Sequence, residues 1–89
     1  MARTNTLERI EALDEPQTMA RVEQNIDDLW PTRYSYTTWH EGPRPVRHVA
    51  VKFGKRSSQR VTFEGAGATW REAFVEVEKQ RLAHKREAK

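Results

Sequence analysis

The sequence contains few residue combinations that could catalyse a reaction or hold a metal ion. It has no cysteine, which excludes thiolate nucleophiles, disulfides and cysteine-ligated zinc. Its histidines, His40, His48 and His84, are far apart and never take the His-x-x-x-His spacing of a helical zinc pair. His40 could form a general acid–base pair with Glu41, although such a pair at a strand end is more typical of a surface ion pair. We therefore expect no metal centre.

Motifs for nucleophilic catalysis and for phosphate binding are equally weak. The three serines lie outside any Gly-x-Ser-x-Gly motif, and the adjacent Asp27 and Asp28 would point about 100° apart on a helix instead of forming an acid pair. Gly65-Ala66-Gly67 precedes a predicted helix, whose N-terminus attracts anions, but it lacks the spacing of a phosphate-binding loop. A tight strand-to-helix turn explains it equally well. We predict that the protein is not an enzyme and uses no cofactor.

Residues suited to binding are concentrated in the middle of the chain. Residues 31–64 carry a net charge of +5, residues 1–30 carry −4 and residues 65–89 carry +2, for a total of +3. Cations interleaved with aromatic rings suit nucleic acid, because the charges meet phosphates and the rings stack on bases. Tyr, Trp and Arg also anchor protein interfaces. The predicted partner-binding residues of this segment are Tyr34, Tyr36, Trp39, Arg44, Arg47, Lys52, Lys55, Arg56 and Arg60.

The acidic first third offers a second candidate surface. Asp27 and Asp28, with Glu23 on the same predicted helix, could imitate nucleic-acid phosphates and occupy a basic groove. The alternative is that these carboxylates only keep the helix solvated. The sequence leaves open whether the acidic helix or the basic segment is the working face.

Two apolar stripes in the first third predict two helices. The first stripe follows Asn5, with Glu8 three residues later as in a capping box. The second helix is predicted to begin at Pro16, behind an Asp14 or Glu15 cap, and to end before Pro31. The two stripes are Leu7, Ile10 and Leu13, and Met19, Val22, Ile26 and Leu29.

The basic middle predicts three strands in an antiparallel meander. Residues 34–39 are β-branched and aromatic, and residues 47–53 and 60–64 alternate between apolar and polar side chains. Trp39 has the opposite parity to Tyr34 and Tyr36, so one of these aromatic sets lies on the uncovered face. The inward residues are Val49, Val51, Phe53, Val61 and Phe63; His48, Lys52, Arg60 and Thr62 are predicted on the uncovered face.

The last segment predicts a helix that begins at a Thr69–Glu72 capping box and frays beyond Gln80 into charged residues. Its apolar stripe is Trp70, Ala73, Phe74 and Val77. The fold class is therefore α+β in the order α-β-β-β-α, with a three-stranded antiparallel sheet and the helices packed on one face. We expect a single domain over residues 1–89, with a helical arm (1–16), a core (17–82) and a charged tail (83–89).

The element order, the Gly42-Pro43 turn after a tyrosine-bearing strand and the Gly65-Ala66-Gly67 turn before the last helix resemble a double-stranded RNA-binding domain over about residues 20–82. That family begins its last helix with a cluster of lysines that span major-groove phosphates. Here the stretch is Thr69-Trp70-Arg71-Glu72-Ala73, in which only Arg71 is basic. The resemblance therefore implies the fold more than the RNA function.

The compact, cysteine-free chain with charged ends is also similar in style to small proteins of phages and mobile elements, including anti-CRISPR proteins. That resemblance implies a non-catalytic inhibitor or modulator that covers the surface of a host protein or nucleoprotein complex. Direct binding of nucleic acid through the basic sheet and loops is the alternative. The composition, with 36% apolar and 33% charged residues, excludes a membrane protein, and the missing cysteines suit a cytoplasmic one. The oligomeric state stays open.

Overall fold

Three helices and three strands follow one another in the computed structural model, which describes residues 5–41, 43 and 46–87. Their bounds are α1 Thr6–Glu11, α2 Met19–Leu29, β1 Ser35–Glu41, β2 Val46–Phe53, β3 Val61–Gly67 and α3 Trp70–Glu87. A short 3-10 turn, Ser57–Gln59, lies between β2 and β3. The chain is an α+β protein, as the sequence predicts.

The strands form one antiparallel sheet in the order β1-β2-β3. Val51 of the central strand lies opposite Tyr36 of β1 and Phe63 of β3, so these three side chains share a face. Val49 and Val51 on this face are fully buried, and Phe53 packs against the same core. The predicted inward face of the meander is confirmed, and we call it the covered face.

α1 is capped locally at its N-terminus and fixed to the rest of the molecule toward its C-terminus. Asn5 accepts a hydrogen bond from the N–H of Glu8 over 2.8 Å, so the predicted cap is confirmed. Ile10 is fully buried in the core. Just beyond the helix, the guanidinium of Arg71 donates to the carbonyl of Leu13 over 3.1 Å. These contacts place residues 5–13 of the predicted helical arm against α3.

α2 begins later than the sequence predicts. Its N-cap is Thr18, whose hydroxyl accepts a hydrogen bond from a backbone N–H in the first turn of the helix over 3.2 Å. The prediction of an Asp14 or Glu15 cap with Pro16 at the first helical position is therefore wrong, and Pro16 lies in the connection between α1 and α2. The carboxylate of Glu15 accepts instead from the N–H of Arg71 in the first turn of α3, over 2.9 Å.

The buried face of α2 also differs from the predicted stripe at one position. Val22, Ile26 and Leu29 are buried in the core, as predicted. Met19 is 49% exposed because it occupies the first position of the helix, and so the inclusion of Met19 is wrong. Asn25 is buried on this face and donates to a side-chain oxygen outside the helix over 2.9 Å.

α3 packs closely on β3 and β2 because of a glycine in the sheet. A Cβ at Gly65 would lie 2.0 Å from the carbonyl oxygen of Ala73, so only glycine allows the helix to approach this strand.

α3 continues to Glu87, so the expectation that it frays beyond Gln80 is wrong. No helix in the described part of the chain is long and apolar enough to cross a membrane. The predicted stripe, Trp70, Ala73, Phe74 and Val77, is buried.

A buried polar contact joins the end of α2 to α3. The ring of Trp30 meets Phe74 edge-on with centroids 5.7 Å apart, and its indole N–H donates to the carboxylate of Glu78 over 2.9 Å. Glu78 is 1% exposed. Arg81 donates to both carboxylate oxygens over 2.7 Å, which satisfies the buried charge. This network makes residues after Gln80 part of the packed molecule.

Candidate interaction surface

A stacked aromatic pair lies on the face of the sheet that points away from the helices, which we call the open face. Trp39 of β1 lies opposite His48 of β2 in the strand register. Their rings are stacked, with centroids 4.9 Å apart and an angle of 1° between the planes. Trp39 is 42% exposed. The two strands therefore hold a flat aromatic surface toward solvent in one conformation.

Short side chains surround this aromatic pair and keep the open face flat. Ala66 of β3 lies opposite His48, and Thr37 of β1 lies opposite Ala50. Thr62 shares the same face because it lies opposite Lys52. No described helix lies on this side of the sheet, and the exposure of Trp39, Thr37, Thr62 and Ala66 agrees with that.

Basic residues collect at one end of the sheet, where β2 ends and β3 begins. Lys52 reaches this end on the open face, and Lys55 and Arg56 are exposed in the turn that follows. The guanidinium of Arg60 lies 3.6 Å from the ring centroid of Tyr34, a cation–π contact. Within the described residues, no carboxylate forms an ion pair with any of these cations. We call this set the basic end.

Two of the predicted partner-binding arginines do not belong to this surface. Arg47 points to the covered side, because it shares its parity with Val49, and it donates a hydrogen bond to the carbonyl of Ala68. It thereby closes the turn from β3 to α3. Arg44 lies outside the described residues.

Tyr36 likewise lies on the covered side of the sheet. Its ring is half-buried beside the core, with the guanidinium of Arg33 5.3 Å from the ring centroid. Burial, together with the negative charges of Glu23 and Asp27, raises the pKa of the Tyr36 phenol above its usual 10.0, and Arg33 opposes the rise. Of the three predicted aromatic residues, Trp39 is the one on the open face, and Tyr34 lies at the basic end.

The predicted acidic residues lie on α2, on the other side of the sheet from Trp39. Asp27 forms an ion pair with Arg33. Asp28 is exposed, and its backbone carbonyl accepts from Arg9 over 3.1 Å. The structure therefore divides the predicted binding residues between two surfaces, and Asp27 is engaged within the chain.

The N-terminus of α3 is occupied by the chain's own oxygens. The hydroxyl of Thr69 accepts from the N–H of Glu72 over 3.1 Å, and the Glu72 carboxylate accepts from the N–H groups of Ala68 and Thr69 over 2.8 and 3.2 Å. This is the predicted capping box, and the carboxylate of Glu15 accepts from the N–H of Arg71. Gly65-Ala66-Gly67 forms the end of β3, so the prediction of a strand-to-helix turn at these residues is wrong. The N-terminus of α3, where a phosphate would bind, is already occupied by oxygens of Glu15, Thr69 and Glu72.

In the part of the chain that the structure describes, residues that could hold a metal ion are not brought together. Among residues 5–41, 43 and 46–87 no group of three or more His, Asp or Glu side chains is arranged as a candidate metal site.

Sequence reasoning placed His48 on the uncovered face but did not include it in the site. The signal was available, because His48 is predicted on the uncovered face of the strand that follows the one carrying Trp39, and the strand register places residues 39 and 48 opposite each other. The contact of Arg47 with Ala68 had no such signal, since it joins residues 21 positions apart.

Comparison of the chain with protein-family models, with curated proteins and with solved structures finds no match.

Proposed function

We propose that the protein is a non-catalytic binding module that covers part of the surface of another macromolecule with the open face of its sheet. The observation that carries this proposal is the stacked Trp39–His48 pair on that face. An exposed tryptophan held in one conformation loses little entropy on binding and contributes a large apolar area, which makes it a typical interface anchor.

The flatness of the open face supports a macromolecular partner over a small molecule. Small-molecule sites are concave and bury most of their ligand, whereas Thr37, Ala50 and Ala66 leave a shallow surface around the aromatic pair. The sequence-based expectation of a host protein or nucleoprotein complex as the partner stays a prediction, as does the likeness to anti-CRISPR proteins.

The test is affinity capture with the immobilised full-length chain, followed by titration of the captured partner. Trp39→Ala should weaken capture by at least about tenfold, the usual cost of removing a central aromatic anchor. Met19→Ala is the matched control, because Met19 is 49% exposed but lies on α2, away from the open face. Equal capture by wild type and Trp39→Ala would contradict the proposal, whereas loss with Met19→Ala alone would move the interface to α2.

A second candidate function is binding of nucleic acid. The observation that favours it is the basic end, where Lys52, Lys55 and Arg56 have no carboxylate partner among the described residues. Lys52 also shares the open face with the aromatic pair, so one strand of nucleic acid could meet charge and a stacking surface together. Glu64 is exposed on the same face, diagonal to Lys52, and would repel phosphate. This carboxylate makes nucleic-acid binding the second candidate.

Fluorescence anisotropy with duplex RNA, duplex DNA and single strands over a salt series distinguishes the two candidates. Contact of the basic end with about four phosphates predicts a log–log salt slope of about −3 to −4. The double variant Lys55→Gln/Arg56→Gln should flatten this slope by about 2. The control double variant Lys79→Gln/Lys85→Gln removes the same charge from exposed positions of α3 and should change the salt slope less. Absence of binding at low salt would reject nucleic acid as the partner.

A further inference from the structure

The two edges of the sheet differ in how their backbone groups are satisfied. β1 and β3 are the edge strands, because β2 lies between them. At the middle of β3, the side-chain amide of Gln80 donates to the carbonyl of Glu64 over 2.6 Å and accepts from its N–H over 3.3 Å. α3 thereby occupies the edge of β3 at the point where another strand would have to pair.

The same contact establishes which backbone groups of β1 point outward. In a strand, the N–H and C=O of one residue point to the same side, and the side alternates from residue to residue. The groups of Glu64 point away from β2, so those of Ala50, its partner in the register, point toward β1 and pair with Thr37. The outward groups of β1 are therefore those of Tyr36, Thr38 and His40.

β1 carries few of the features that normally protect a sheet edge, the charged Glu41 at its end being the exception. Its seven residues, Ser35–Glu41, include no lysine, arginine or proline and consist largely of β-branched and aromatic residues. Within the described residues, nothing binds the outward N–H and C=O groups of this strand. An unprotected edge of this length is a template for pairing with another strand.

We propose that two copies of this chain pair through β1, antiparallel and with Thr38 opposite Thr38, so that their sheets join into one. This register is the one in which the outward groups of both copies meet. Thr38 bonds to Thr38 of the second copy, Tyr36 bonds to His40, and His40 bonds to Tyr36. All three outward residues of each strand are then satisfied.

The side chains of β1 suit this pairing, which is the reason that a second copy is the favoured occupant. Thr37 lies opposite Trp39 of the second copy in a non-hydrogen-bonded pair, the kind in which facing side chains approach closest, and β-branched residues pair favourably with aromatic ones. Tyr36 meets His40 on the other face, and no pair between these positions brings like charges together. A strand of unrelated sequence would form the backbone hydrogen bonds but would not place these favourable side-chain pairs opposite each other.

Sedimentation equilibrium of the full chain over a concentration series tests the pairing. The average mass should rise from 10.5 kDa toward twice that value. Thr38→Pro and His40→Pro each remove an outward N–H and leave the hydrogen bonds to β2 intact. Edge strands tolerate proline at such positions. Each should raise the dissociation constant of the dimer by at least about tenfold, because the substitution is present in both copies and removes two hydrogen bonds per dimer. His40 is exposed, so His40→Pro keeps the test decisive if Thr38→Pro unfolds.

The matched control is Thr62→Pro. The N–H of Thr62 also points outward, because Thr62 is two residues from Glu64, but it lies on the other edge of the sheet. Thr62→Pro should dimerise like the wild type. Amide exchange of the wild type gives a second measurement, since the N–H groups of Tyr36, Thr38 and His40 should exchange more slowly as concentration rises.

Four results would overturn the proposal. They are a monomer over the whole concentration series, a dimer that survives both β1 prolines, equal loss with Thr62→Pro, and exchange at the three amides that does not depend on concentration. The proposal does not depend on the function of the open face, because these measurements involve no other partner.

Discussion

At the scale of single residues, the molecule depends on a buried carboxylate, and sequence patterns do not reveal its tryptophan partner. Glu78 is 1% exposed and lies between the indole N–H of Trp30 and the guanidinium of Arg81. Hydrogen bonding to Glu78 raises the pKa of Arg81, which stays charged. Position 78 continues the apolar stripe of α3, four residues after Phe74, but the tryptophan that hydrogen-bonds the glutamate there is Trp30, which is 48 residues away.

Arg81→Met should therefore lower the free energy of unfolding by about 3 kcal/mol, because it leaves the Glu78 carboxylate buried without a counter-charge. Adding Glu78→Gln should recover part of this loss, since glutamine is neutral and its side-chain oxygen still accepts from Trp30. Chemical denaturation of the single and double variants measures both effects. A double variant less stable than Arg81→Met alone would show that the buried charge is not the cause.

At the scale of elements, periodicity predicted the strands, their inward face and the buried stripe of α3. It was less informative at helix ends. The residues beyond Gln80 are mostly good helix formers, and the Glu78–Arg81 contact ties them to the core, so α3 runs on to Glu87. Met19 has the spacing of the α2 stripe but occupies its first turn. Periodicity alone does not distinguish a buried position from one at the end of a helix.

The close packing of α3 on β3 gives the prediction at this scale. Gly65→Ala would place a Cβ 2.0 Å from the carbonyl oxygen of Ala73, and a backbone atom cannot move aside without shifting the helix. We expect a loss of about 3 kcal/mol in the free energy of unfolding. The control is Ala66→Ser on the open face, which should change the free energy of unfolding by less than about 0.5 kcal/mol. Equal thermal denaturation curves for the two variants would contradict this packing.

At the scale of the whole molecule, the charge asymmetry of the sequence becomes a difference between two surfaces. The acidic residues of α2 lie on the helical side, and Trp39, His48 and Lys52 lie on the open face of the sheet. The alternation of side chains along β1 predicts that Trp39 and Tyr36 lie on opposite faces of the sheet, and so part of the candidate surface could be predicted. The alternation along β2 also indicates the side of the sheet on which Arg47 lies, but the contacts of Arg33 and Arg47 could not be predicted, because each joins different elements.

The described residues leave one face of the sheet uncovered, with Trp39 on it. The chain has three tryptophans, of which Trp30 and Trp70 are 2% and 4% exposed, whereas Trp39 is 42% exposed. Acrylamide quenching of tryptophan fluorescence in the wild type and in Trp39→Phe therefore measures this face directly. We predict a readily quenched component in the wild type that disappears in Trp39→Phe, and resistant emission in both. Identical quenching of the two proteins would mean that the face carrying Trp39 is covered.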